Sequence, residues 1–173
     1  DASNKTVVPG MFEMHSHPQD MRYYGTKWWN FYLSMGVTSN VSMGSFLYEA
    51  VSTREALASG ELLGPRSFVA GELIDGSRVS HPETRAIVSD EQLEKELSRQ
   101  QSLDPDLFKT YVRTAPEHMA RVAEVANEVG VPAFSHILPT TATLGLTGTS
   151  HLGATQRAGS DNVTSPGGRS YGD

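Results

Sequence analysis

The sequence predicts an α/β fold, a partial TIM-type (β/α) barrel comprising about the first six βα units. Three observations carry this. Short apolar runs alternate with stretches of helical periodicity, the pattern of parallel strands joined by crossover helices. Gly and Pro stops separate the runs, as at Gly36, Gly60, Gly64-Pro65 and Gly130. Side chains able to ligate a metal fall at the first, fourth, fifth and sixth runs, on them or at their C-terminal ends. In a barrel those ends face one common site, whereas the first and sixth strands of an open sheet usually lie far apart.

Residues 1–6 are polar and read as a connector, residues 7–152 as the barrel domain, and residues 153–173, rich in Gly, Ser, Asn and Pro, as a loop or disordered tail. The first strand covers 7–14 and runs into His15-Ser16-His17. Residues 28–35 place Trp28, Phe31, Tyr32 and Met35 at helical spacing. Residues 37–43 form the second strand, and 53–59 a helix with Thr53 as its N-cap and Gly60 at its end. The third strand is expected over 66–74, followed by a long polar loop over 75–88. Ser89 opens a helix over 90–102 with acidic residues in its first turn. The fourth strand covers 107–112. Pro116 and Glu117 start the clearest helix, running to 129, and Gly130 caps it. The fifth strand covers 131–138, a short helix at best follows over 139–146, and a sixth strand ends over 149–152.

Composition narrows the function. A chain of 173 residues with 38% hydrophobic and 20% charged content supports one globular domain with a real core. Its net charge of −6 argues against nucleic acid or an anionic membrane as partner. No cysteine is present, which excludes disulfides and thiolate metal sites but selects no compartment, so cytoplasmic, periplasmic and secreted locations all stay open. No apolar run approaches a membrane span, and no signal-peptide pattern occurs. The chain opens Asp1-Ala2-Ser3 without an initiator Met, as expected of a processed product or an excised segment.

His15 and His17 are two apart on a strand, so both imidazoles project to one side while Ser16 faces the other. Two converging imidazoles suit a divalent ion such as zinc, manganese or iron. Lys109 lies inside an apolar strand between Phe108 and Thr110. Burial there requires pairing or loss of charge. A neutral amine can take up carbon dioxide to form a carbamate, an anionic ligand able to bridge two ions. Read singly, Lys109 is a lysine reaching to solvent from an edge, and His136 and His151 are structural histidines. Read jointly and in order, they form a ligand set. His81, in the long loop, is a candidate substrate contact weighed against a solvated loop residue. His118, on the helix after the fourth strand, reads as surface.

The stretch Val8-Pro9-Gly10 followed by Met14-His15-Ser16-His17 resembles the first barrel strand of the amidohydrolase superfamily. Leu107-Phe108-Lys109-Thr110-Tyr111 resembles its strand-four lysine, which is often carboxylated. Ser135-His136 and Ser150-His151-Leu152-Gly153-Ala154-Thr155 resemble its strand-five and strand-six histidines. The short gap between these two, and the Gly-Ala-Thr, look most like members fused to TolB-like propeller segments, akin to imidazolonepropionases and prolidase-type enzymes. The resemblance implies two divalent ions, one held by His15, His17 and Lys109, the other by Lys109, His136 and His151. It also implies hydrolysis of a C–N bond in an amide, short peptide or cyclic amide through a metal-activated hydroxide.

The chain departs from the family pattern at three places. The strand-eight aspartate, metal ligand and general base in such enzymes, has no counterpart; Asp161 and Asp173 stand in the Gly-rich tail and take no such role, so no catalytic residue is assigned beyond the metal ligands. Ser150 stands where the family commonly has Glu. The flanking β-sandwich, of which residues 1–6 would be the connector, is absent. A complete barrel takes about 250 residues. The resemblance therefore implies a fragment lacking strands seven and eight. Open barrel edges expose apolar surface, so association with the missing barrel part or a second copy is expected. A non-catalytic fragment is the alternative function. An open α/β binding module with structural histidines is a third.

Overall fold

The computed structural model describes residues 1–18 and 25–151, the side chains of 138–140 excepted. β1 (Met11–Ser16) leads through α1 (Lys27–Ser34) to β2 (Val37–Ser42), and α2 (Leu47–Ser59) leads to β3 (Arg66–Val69). β4 (Leu73–Asp75) and β5 (Thr84–Ala86) precede α3 (Asp90–Gln101). Then come β6 (Phe108–Thr110), α4 (Pro116–Val129), β7 (Ala133–Ser135), α5 (Leu138–Thr143) and β8 (Gly148–Thr149). Every strand pairing is parallel.

Three strands pair in the order β1-β2-β3 and five in the order β5-β4-β6-β7-β8. A bridge from Ala70 to Leu107 joins the two groups. The registers Asn40 to Ser67, Phe108 to Ala133 and Phe134 to Gly148 carry the staves round in chain order. This is the partial (β/α) barrel that the alternation predicts. Among the described strands, β1 ends the three-strand group, and β5 and β8 end the five-strand group. Apolar side chains crowd the β1 edge: Met11, Phe12 and Met14 are about half exposed, and Val7 and Val8 before them are more so.

Local chemistry sets the helix ends. Ser89 is extended and its Oγ accepts the Gln92 N–H at 3.3 Å, while Gln92 Oε1 accepts the Val88 N–H at 3.0 Å. These reciprocal bonds satisfy N-terminal donors that the helix cannot. α4 begins at Pro116, whose missing N–H costs nothing there, and ends at Gly130 with φ +78°. α2 differs from expectation. It starts at Leu47, so Thr53 lies inside it and bonds back to the Glu49 carbonyl.

The expected third strand over 66–74 divides into β3 and β4. Glu72, between them, is buried and pairs with Arg85 of β5 and Arg99 of α3. Gln100 donates to the Glu72 carbonyl at 3.1 Å and occupies the space that a Cβ at Gly71 would need. Holding this polar group off the sheet breaks the strand. It also draws 84–86, expected to be loop, alongside β4 as β5. The tail read over 153–173 lies outside the described residues.

Strand alternation divides the core. Phe108 faces the helical layer and packs with Leu93, Leu97, Met119, Val122 and Ala126. Leu107, on the other face, packs with Val41, Met43 and Ala70. His118 is not on the surface as expected. It is buried, with Nε2 3.0 Å from Asp90 Oδ1, where α4 meets the start of α3. No helix among the described residues is long and apolar enough to cross a membrane.

Candidate active site

His15 is the penultimate residue of β1 and His17 follows the strand; their Nε2 atoms are 3.2 Å apart. Ser16 faces away as the strand period requires, its hydroxyl donating to the Val41 carbonyl at 2.9 Å and accepting from Asn40. His17 Nδ1 lies 3.0 Å from the Gly44 carbonyl. A carbonyl only accepts, so Nδ1 carries the proton and Nε2 is left with a lone pair toward His15. Gly44 makes that carbonyl available. Its φ is +138°, and a Cβ there would run into Leu73.

The other candidates arrive from the far side of the barrel. His136 follows β7 and His151 follows β8. The His15 ring lies 4.3 Å from that of His151, which lies 4.7 Å from that of His136. The structure thus brings His15, His17, His136 and His151 into one chain of touching rings. Lys109, in the middle of β6, is fully buried, and its Nζ has no hydrogen-bond partner. Among the described residues, no three His, Asp or Glu side chains converge on one point as they stand.

The electrostatics follow from burial. Desolvation lowers the Lys109 pKa to about 7. Burial first, then the charge of Lys109 and the neighbouring imidazoles, lowers His15 to about 3. The same causes hold His136 and His151 below the ordinary histidine range. At neutral pH these three imidazoles are uncharged, the state a metal ligand must have. The buried Lys109 Nζ and His136 Nδ1 lack partners. Unprotonated nitrogens around an unpartnered buried amine fit a divalent cation and a lysine carbamate.

His81 is half-buried. Its Nε2 lies 3.0 Å from the Tyr111 hydroxyl, and Tyr111 sets its ring edge-on against His136 at 4.3 Å. Tyr111 escaped the sequence reading, although its spacing of two from Lys109 on an extended segment was the available signal. The Gly44 carbonyl had no signal, because a backbone acceptor carries no residue type.

Asp75 closes β4 and is also buried, accepting the Arg113 N–H at 2.6 Å. Burial raises its pKa above the ordinary 3.8, against the opposing N–H groups of Arg113 and Gly76. The unfolded chain therefore releases this proton first as pH rises, and stability falls across the window between the two pKa values. Asp75→Asn should flatten that fall. Urea denaturation of both proteins from pH 3.5 to 7 tests this; parallel stability profiles would contradict it.

No family model matches the chain, and no curated protein matches it. Solved structures do share the fold. A candidate prolidase from Bifidobacterium longum is 21% identical, with a TM-score of 0.66 over 79% of this chain and 37% of that one. A Xaa-Pro dipeptidase with bound methionine is 17% identical, with a TM-score of 0.68 over 84% and 50%. A bottromycin amidohydrolase is 18% identical, with a TM-score of 0.69 over 83% and 32%. The chain spans 32% to 50% of the length of these structures. At such identities the likeness is one of fold, and it agrees with a partial barrel.

Proposed function

We propose that this chain carries the metal-binding part of a C–N hydrolase of the amidohydrolase superfamily. The observation that carries the reading is the gathering of His15, His17, His136 and His151 at one end of the barrel that also buries Lys109. His15, His17 and Lys109 would hold one divalent ion, and Lys109, His136 and His151 a second; zinc, manganese and iron all suit this donor set. When bound, such ions polarise a carbonyl and supply a water nucleophile at neutral pH.

The chain's own residues prepare the site. The Gly44 carbonyl fixes the tautomer and orientation of His17. Burial keeps a large share of Lys109 unprotonated at neutral pH. Its amine can then form an N–C bond to carbon dioxide and release one proton, which leaves a carbamate anion. The complete burial of Lys109 keeps water from that anion. His81 and Tyr111, already paired, would offer polar contacts to an amide or short peptide substrate.

A second reading is that the chain holds metal without turnover. Among the described residues no three His, Asp or Glu side chains form a ready metal-holding group, and Glu13, the carboxylate beside the cluster, is engaged in accepting the His15 N–H at 2.9 Å. Elemental analysis of the purified chain, with a panel of N-acyl amino acids, dipeptides and cyclic amides, tests both. About two ions per chain, and hydrolysis lost at least 100-fold in His17→Ala, are expected. Bound metal without hydrolysis would favour the second reading; no metal uptake would overturn both.

A further inference from the structure

β1 runs into the histidines through a bulge. Its register with β2 pairs Glu13 with Asn40 and Ser16 with Ser42, so Met14 and His15 stand opposite the single residue Val41. In an unbulged strand Glu13, His15 and His17 would share one face, and Ser16 would take the other. Here the partners Asn40 and Ser42 are two apart and share a face. The extra residue therefore returns Glu13 and Ser16 to one face, where Asn40 Nδ2 donates to Ser16 Oγ at 3.1 Å. His15 and His17 are left together on the other face, their Nε2 atoms 3.2 Å apart.

A bulge leaves a residue out of the ladder, and its backbone groups need other partners. The His15 N–H finds one in Glu13 Oε1 at 2.9 Å. Among the described strands β1 pairs with β2 alone, so no second strand clamps the bulge from its open side. The Glu13 side chain supplies that clamp from two residues upstream.

We infer that Glu13 is a positioning residue: its carboxylate oxygen holds the bulge and so aims the His15 ring at His17 and at His151, whose ring lies 4.3 Å away. Its importance for metal rests on the reading of these imidazoles as ligands. The bulge needs an acceptor oxygen at this reach, not a negative charge. Glutamine therefore serves in place of Glu13, and alanine does not. The same demand separates this role from that of a metal ligand or a general base, for which an amide is a poor substitute.

The test compares the whole chain with Glu13→Ala and Glu13→Gln, first free of metal and then with cobalt(II) as the probe. NMR of the metal-free chains reads exchange of the His15 amide hydrogen and the NOEs between the His15 and His17 rings. In Glu13→Ala the amide should exchange at least about tenfold faster and the ring NOEs should vanish; Glu13→Gln should keep both. Cobalt(II) affinity, read from its absorption spectrum, should fall about tenfold in Glu13→Ala, as when a group that orients a ligand is removed. In Glu13→Gln it should stay within about threefold of the parent. Unchanged NOEs and amide exchange in Glu13→Ala would overturn the inference. So would a Glu13→Gln chain that behaves like Glu13→Ala, which would assign the role to the charge. Loss of the whole fold in Glu13→Ala, read by urea denaturation, would overturn it too, because the carboxylate would then serve the fold at large. A parent chain that takes up no cobalt would sink the functional reading instead, and the metal-free NMR would still decide whether Glu13 aims His15.

Discussion

Lys109→Met should make the metal-free chain more stable while removing its capacity to hold metal. The lysine is fully buried, its Nζ has no partner, and burial alone lowers its pKa to about 7. A polar group buried without a hydrogen bond costs about 1–3 kcal/mol in folded proteins. Methionine is of similar length, is apolar and adapts to irregular space. In chelator at pH 7 the variant should therefore gain about 2 kcal/mol in urea denaturation. Elemental analysis without chelator should show bound metal falling at least tenfold, because the ligand proposed to be shared is gone. A less stable variant with unchanged metal content would mean that the lysine serves the fold rather than the site. The opposition of the two effects separates function from packing: a purely structural lysine would not be retained at a cost to stability.

Arg99→Ala should destabilise the chain by about 3 kcal/mol, the low end for breaking a buried ion pair from one side. Arg99 bonds Glu72 Oε2, and it meets both oxygens of Glu96 at 2.6 and 2.9 Å. The side chains of Glu72 and Glu96 are only 4% and 10% exposed. Without Arg99, two carboxylates remain facing each other in a poorly solvated space, with Arg85 as a partial remedy at 3.0 Å from Glu72. Arg121 is the control. It pairs with Glu94 at 2.7 Å, but Glu94 is half exposed. Arg121→Ala should therefore cost under about 1 kcal/mol. Equal losses in the two variants would show that the Glu72 network does not hold β4 and β5 in place.

The basis of the legible features was local. Period-two alternation put His15 and His17 on one side and Ser16 on the other, and the hydroxyl of Ser16 is indeed turned away to Val41. Ser89, Pro116 and Gly130 marked helix ends because capping is satisfied within a few residues of sequence. The apolar run around Lys109 was legible as a strand, since only an extended segment places Phe108 in the helical layer and Leu107 on the other face. The misread features share another property. Glu72 breaks a strand because Arg85, Arg99 and Gln100 reach it from elsewhere in the chain. His118 is buried because α3 begins beside it. Neither partner is within a local window.

By itself, then, the sequence determined the order and type of the elements and the residue types able to ligate a metal, because periodicity, caps and stops act over a few residues. Only the tertiary structure decided that His15, His136 and His151 lie within ring contact, that Tyr111 joins His81 to His136, and that the Gly44 carbonyl orients His17. The physical reason is the curvature of the parallel strands around a common axis. It brings together residues more than a hundred positions apart, and it removes water from Lys109, which no local pattern can specify.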